Sequence, residues 1–556
     1  MIRVNDAIFN YPVNAFFFPP LIEQYNAVII SYLTMSNDLL KSVSIVSAMT
    51  AISRISGFIR DIVYAYMFGA GSGSDAFFVA FRIPNFLRRL FAEGAFSQAF
   101  VPIFSEYQTN RSREELRDLG DQVTGTLGVI LLLVSAVGIL AAPILVFLFA
   151  PGFTIDSEKY ELSIEMLRIT FPYLMFISLT SLAGGMLNSC GRFVVPAVTS
   201  ALLNITMIAA AFWLAPCMSR PVVGLAWGVL VAGVLQLCFQ IPFLRQLKMM
   251  PRPCWGWSSQ GVQQVLRLML PAIFGSSVAQ VNLLIDTVLA SFLVSGSVSW
   301  LYYSDRLVEF PLGIFGVALS TVILPKLSRQ YANSEDSGFS QTLDWALRWV
   351  LLIGLPATVG LVLLSGPMLS ALFQYGEFDA RDVIMSTRSM IAFSLGLVAF
   401  MLIKVLAPGF YARQDTRSPV KYGLIAMGAN TALVLTLIWP LAHASLALAT
   451  SLGAYLNAIL LFLDLRRRAI YQPRAGWSKF LVQISIANLV MGIVLWFSVG
   501  DFNSWIQASA NSRLCHLTYL ILAGGTSYLL AILVVGIRPR HLLLAADVNC
   551  FPNLGS

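Results

Sequence analysis

Apolar runs of about 20 residues recur along nearly the whole chain, interrupted only by short polar loops. A helix of that length crosses a bilayer core of about 30 Å. Fourteen such spans are expected, at about 43–68, 75–107, 122–149, 161–188, 194–215, 221–244, 261–293, 298–330, 341–364, 384–408, 418–440, 444–465, 478–499 and 515–537. Of the 556 residues 57% are hydrophobic and only 12% charged, against about 25% charged in soluble domains. No room is left for a large soluble domain, and the fold class is an all-α polytopic membrane protein.

The formal charge of +8 invites a nucleic-acid reading, but its placement argues against one. Lys and Arg gather in alternate loops, as in Arg111, Arg113 and Arg117, or Arg466, Arg467 and Arg468, while the opposite loops offer only Lys159, Arg220, Arg381 and Arg513. Basic loops face the cytoplasm, so both termini are expected inside. The six cysteines show no ligand-like spacing, the three histidines lie far apart, and no phosphate-binding Gly-rich loop with Lys and Ser or Thr occurs. No cofactor, no His-based metal or catalytic site and no P-loop ATPase are expected. Residues 1–34 hold one short apolar run and no clear cleavage site, and Met35 reads as a natural start. That marks residues 1–40 as an N-terminal extension.

The chain repeats itself. Pro143 and Gly152 recur as Pro367 and Gly376, Gly185 and Pro196 as Gly409 and Pro419, Pro102 as Pro325, Asp61 as Asp286, and Pro216 as Pro440, always 223 to 225 residues apart. A register held over six spans defines two halves, 41–250 (spans 1–6) and 260–466 (spans 7–12), followed by an appended pair of spans within 474–540 and a cytoplasmic tail at 541–556. Six is even, so the halves share one topology about an axis along the membrane normal, and such halves enclose a midplane cavity. The small-residue segments Gly69 to Ser74 and Ser295 to Ser297 fall at equivalent outer ends, where their lack of bulk lets the lobes meet.

One stretch carries more charge than a membrane tolerates without reason. Residues 51–107 hold Arg54, Arg60, Asp61, Asp75, Arg82, Arg88, Arg89 and Glu93. An Arg at the centre of a membrane helix costs roughly 3 kcal/mol on insertion scales, so such groups face a wet cavity and bind something. Asp75, Arg82 and Arg89 are spaced by seven, with Glu93 four further on, which puts them on one helical face. The second half adds Asp305, Arg306 and Glu309, with Arg306 224 residues after Arg82. The acids also fit as structural ion pairs, but cations outnumber them, and the guest is expected to be anionic. A guanidinium fork matches phosphate oxygens bidentately, which suggests a pyrophosphate.

The runs SRISGFIRD, FGAGSGSDAFFVAFRIPNFLRRLFAEGAFSQAFVPIFSEY, SGSVSWLYYSDRLVEFPLGIFGVAL and KVLAPGFYARQDTRSPVK resemble the MurJ (MviN) family of lipid II flippases, within the multidrug/oligosaccharidyl-lipid/polysaccharide exporter superfamily. The resemblance extends over about 40–540. It implies two lobes around a cationic cavity and a lipid-tail groove lined by the last two helices. It places required arginines at Arg54, Arg60, Arg88 and Arg306, an important acid at Asp75, and neighbouring polar positions at Ser53, Glu93, Ser299 and Glu309. Some members bind sodium between spans 7 and 11–12. Here Asp286 is the one sodium candidate, and span 11 offers Asn430 but no carboxylate.

The function so implied is the flipping of lipid II, the undecaprenyl-pyrophosphate-linked disaccharide-pentapeptide of peptidoglycan biosynthesis, from the cytoplasmic to the outer leaflet by alternating access. The expected partners are lipid II, membrane lipids and cell-wall synthesis or division proteins, with no nucleic acid. A flippase for another polyprenyl-linked glycan and a drug/cation antiporter of the same superfamily are the alternatives. The antiporter would want cavity carboxylates rather than arginines.

Overall fold

The computed structural model describes residues 48–89 and 96–537. Glu93, the whole N-terminal extension and the tail at 541–556 lie outside the described residues. In chain order the helices are α1 (48–68), α2a (Ser72–Arg88), α2b (Ser97–Asn110), α3 (Arg113–Leu140), α4 (Ser157–Ser189), α5 (Val194–Cys217), α6 (Val223–Gln246) and α7 (Gln260–Ser291). Then follow α8 (Ser297–Ala332), α9 (Asp336–Leu363), α10 (Ala380–Tyr411), α11 (Arg417–Leu441), α12 (Ala444–Arg467), α13 (Trp477–Val499) and α14 (Ala510–Val535). Eleven of them are long and apolar enough to cross a membrane. The three charges Arg54, Arg60 and Asp61 set α1 apart from these, and the whole order is consistent with fourteen passages.

The internal repeat reappears as equivalent breaks. α3 stops at Ala141 and α9 at Leu364, and each is followed by a short helix, Ala142–Phe149 or Ser365–Phe373, that begins with a Pro in its first turns. Pro is favoured there because its missing N–H would have no helical partner in any case. α4 breaks at Phe171–Pro172 and α10 at Gly396, again about 224 residues apart. Packing follows the same rule: α2a lies on α4 as α8 lies on α10, and α5 lies on α6 as α11 lies on α12.

Several helices start earlier than apolarity alone suggests, and α3 and α14 show why. α3 begins at Arg113, not near 122, because Ser112 accepts from Glu115 N (3.2 Å) while the Glu115 carboxylate accepts from Ser112 N (3.0 Å). This reciprocal cap satisfies two end donors and carries a polar helical turn beyond the apolar segment. α14 begins at Ala510 with Arg513 buried, its guanidinium donating to Ser370 O, Gln374 O and Ile506 O at 3.3, 3.1 and 2.8 Å. Arg513 is therefore a helix-anchoring residue, not the loop charge its position in the sequence suggests.

α13 and α14 pack on each other and reach the bundle mainly through α9 and the Ser365–Phe373 helix. Asp344 of α9, buried at 3% exposure, fixes the approach: it accepts from Tyr471 OH (2.9 Å), Trp477 Nε1 (2.6 Å) and Arg474 N (3.2 Å) and pairs with Arg348 (2.9 Å). At the start of α11, Asp415 accepts from Ser418 Oγ (2.6 Å) and Ser418 N (3.0 Å) and pairs with Arg468 (2.8 Å). The Ser418 hydroxyl, its backbone N–H and Arg468 hold this carboxyl down at about 2. A depressed acid contributes stability above its unfolded value near 3.9, and that contribution fades as pH falls through the folded value. Asp415→Asn is thus expected to lower the melting midpoint at pH 7, with the gap to the wild type closing between about pH 4 and 2. An identical gap at pH 7 and pH 2 would contradict the assignment.

Candidate functional site: a sealed end and two adjoining polar cavities

At one end of the bundle the α1–α2a turn, the α7–α8 turn and the loop before α10 meet. Asp75, fully buried, receives Lys159 Nζ (2.8 Å), Gly296 N (2.8 Å), Ser299 N (2.9 Å) and Ser299 Oγ (2.7 Å). The two backbone donors open α8, so a carboxylate from the first half caps a helix of the second, where the helix dipole favours negative charge. Asp75 and Ser299 are themselves 224 residues apart, so repeat-related positions bond each other. Asp382 mirrors the arrangement, accepting from Ala70 N (3.2 Å) and Trp300 Nε1 (2.8 Å). Gly69 (φ +59°) and Gly376 (φ +58°) let the turns touch: a Cβ on Gly69 would strike Glu377 O, and one on Gly376 would strike Tyr66 O. Glu377 N donates to Tyr66 O at 3.0 Å across this junction. Below it lies an aromatic layer, with Phe78 stacked on Tyr302 (4.0 Å between centroids) and Tyr303 edge-on to Phe378 (5.3 Å).

Deeper in the bundle, Asp61 joins the halves. Its carboxylate accepts from Arg60 (2.7 Å) and Tyr302 OH (2.9 Å) and pairs with Arg306 Nε (3.2 Å). Arg60 also donates to Asn204 Oδ1 (3.0 Å), and Asn204 in turn holds Ser53 O (2.9 Å) and Ser56 Oγ (3.1 Å). Arg306 lies over the Tyr302 ring (4.8 Å) and donates to Glu309 (2.9 Å), yet its side chain stays 36% exposed. One carboxylate here satisfies parts of two guanidinium groups; Arg306 gives its other nitrogens one bond each to Glu309 and Tyr302 OH (3.2 Å), which leaves the second hydrogen on each for a ligand.

Two cavities flank this cluster. The first is lined by Arg82, Arg89, Arg306, Asp305 and Glu309 among aromatic residues. Arg82 donates to Thr287 Oγ1 of α7 (2.7 Å). The second lies against α4, α5 and α6 and is lined by Arg88, Ser53, Asn204 and a series of hydroxyl and amide side chains. Asn85 lines both cavities, so they adjoin, and its Oδ1 accepts from Arg88 Nε (2.8 Å).

The expected site residues therefore separate into groups. Arg306 and Glu309 face the first cavity, and Arg88 and Ser53 the second. Arg60 is held in the buried cluster, and Arg54 lies against Gly313, whose Cβ would run into its guanidinium. Asp75 and Ser299 belong to the sealed end. The four arginines do not converge on one point, because Asp61 takes up Arg60 and a π-helical turn at Leu312–Gly316, behind Pro311, makes the space for Arg54. Asp286 accepts from Asn282 (3.2 Å) and Asn430 (3.4 Å), and no group of three His, Cys, Asp or Glu suited to a metal occurs among the described residues. The residues implied by the family resemblance leave out Arg82 and Arg89, which the seven-residue spacing places on the charged face, and Tyr302, which carries no signal in the sequence. Sequence reasoning also takes Lys159, 4% exposed, for a loop charge; an acid buried in the sealed end needs that cation.

Helices repeated in two equivalent sets around polar, arginine-bearing cavities define a polytopic helical membrane protein of two pseudo-symmetric lobes with an appended helix pair. A MATE-family multidrug transporter in an inward-facing conformation shares this fold, with a TM-score of 0.61 at 15% identity over 77% of this chain and 98% of the transporter. The model of the family "Lipid II flippase MurJ" matches residues 64–514, and the chain belongs to that family. It is 47% identical to the "Probable lipid II flippase MurJ" of Vibrio cholerae over 92% of this chain and 99% of the relative. It is 41% identical to the "Lipid II flippase MurJ" of Burkholderia cenocepacia over 90% and 98%. The solved structure titled "Lipid II flippase MurJ, inward closed conformation" superposes with a TM-score of 0.74 at 28% identity, over 88% of this chain and 98% of that one.

Proposed function

We propose that this chain carries lipid II from the cytoplasmic to the outer leaflet of the bacterial inner membrane, breaking no bond on the way. The two halves, 41–250 and 260–466, act as lobes that rock about the cavity, with both termini cytoplasmic. The sealed end is then the outer gate. The observation that carries this reading is the pair of adjoining cavities beneath that gate, walled by Arg82, Arg88, Arg89 and Arg306. Pyrophosphate takes bidentate donors from these arginines. The sugar and peptide fill the remaining polar volume, and the lipid tail runs outside along α13 and α14, where Trp496 and Phe497 are exposed at 67% and 82%. A cation antiporter would need the opposite balance, with carboxylates in excess. Depleting the protein is expected to leave newly made lipid II on the cytoplasmic leaflet, shielded from a reagent added outside intact spheroplasts. Unchanged outer exposure after depletion would refute the proposal.

A further inference from the structure

The second cavity holds two acceptors with nothing to accept. Gln236 and Gln240, one turn apart on α6, are 2% and 1% exposed and line its wall. Each commits its amide N–H to α5: Gln236 Nε2 donates to Thr199 O (2.9 Å) and Gln240 Nε2 to Thr199 Oγ1 (3.1 Å). Thr199 Oγ1 donates onward to Val195 O (2.8 Å), which fixes the orientation of the group. Both Oε1 atoms are left buried and without a partner among the described residues. An unsatisfied buried acceptor is costly, and two side by side in a cavity wall are a built receptor for donors.

The rest of the lining narrows the ligand. Ser181, Asn188 and Ser200 add short hydroxyl and amide groups, and among the described residues no carboxylate lines the cavity and Arg88 is its charged residue. A cation would be repelled by Arg88, and an anion would meet the two carbonyl oxygens. A neutral group rich in O–H and N–H donors satisfies both. We propose that Gln236 and Gln240 form a subsite for the hydroxyl- and amide-bearing head of the carried lipid, beside the arginines that hold its pyrophosphate. This subsite rests on the flippase reading above and extends it to specificity: side chains at i and i+4 present two acceptors on one face, set to engage the sugar or peptide rather than the phosphates.

The test measures binding to the purified full chain in nanodiscs by native mass spectrometry. The probes are undecaprenyl pyrophosphate, the same lipid bearing the disaccharide without peptide, and lipid II. The double variant Gln236→Leu/Gln240→Leu removes both acceptors at similar volume. Its binding is expected to fall about tenfold, the value of two neutral hydrogen bonds, while undecaprenyl pyrophosphate binds as to the wild type. Loss with both glycolipids assigns the contact to the sugar, and loss with lipid II alone assigns it to the peptide. Arg306→Ala should weaken all three probes. Should the double variant melt early, Ser200→Trp fills the cavity while leaving both glutamines and Thr199 in place, and must show the same discrimination. Wild-type glycolipid binding in a stable double variant, or in Ser200→Trp, overturns the subsite and shows that the acceptors hold only water. Wild-type protein that binds none of the three probes overturns the flippase reading itself.

Discussion

Lys159→Met should abolish support of cell-wall synthesis, and adding Asp75→Asn should restore part of it. Among the described residues Lys159 supplies the ammonium on a fully buried carboxylate that joins α2a, α4 and the start of α8. Removing one partner of a buried pair costs about 3–5 kcal/mol, because the remaining charge stays uncompensated. Asp75 then keeps only the N–H groups of Gly296 and Ser299 and the Ser299 hydroxyl. The sealed state loses that much relative to any state in which Asp75 meets water, a shift of roughly two to four orders of magnitude in population. Asn at position 75 keeps hydrogen-bonding capacity without the charge, so the double variant should be more stable and more active than Lys159→Met alone. Growth of a depletion strain and the melting midpoint of purified protein check this, and a single variant equal to the wild type in both would contradict it.

Arg306→Ala is expected to lower transport about 100-fold while leaving the protein folded, since a bidentate charge-assisted contact is worth a few kcal/mol. The fold survives because Asp61 keeps Arg60 and Tyr302 after Arg306 is gone. Arg306→Lys should recover only a fraction, as an ammonium cannot present the planar fork or stack on Tyr302 in the same way. Single-turnover transport of labelled lipid II in vesicles provides the measure. An alanine variant that flips lipid II at the wild-type rate would remove Arg306 from the phosphate site.

Family and fold class are legible from the sequence because both rest on properties that neighbours in the chain share: apolar run length, and long motifs such as the one from Phe68 to Tyr107. Helix ends are legible within a few residues, except where a cap such as Ser112 extends α3 beyond its apolar part. The site is legible only as a charged face. Spacing tells that Asp75, Arg82 and Arg89 share a side of one helix, but not that Asp75 closes an end while Arg82 and Arg89 line a cavity. That division depends on partners far away in sequence, Lys159, Ser299 and Thr287, each an ordinary residue in its own segment. Gln236 and Gln240 are invisible for the same reason: two amides in an apolar span acquire meaning only against Thr199 and an open cavity.

The central claim is that lipid II passes because the sealed end opens and closes. Tyr66 and Glu377 face each other across that seal, both exposed and both outside the ion clusters, with a backbone hydrogen bond of 3.0 Å between them. In Tyr66→Cys/Glu377→Cys protein reconstituted with labelled lipid II, oxidation should form the disulfide and stop transport, and reduction should restore it. Transport at the normal rate with the disulfide formed would contradict moving lobes and place the lipid's path outside the cavity.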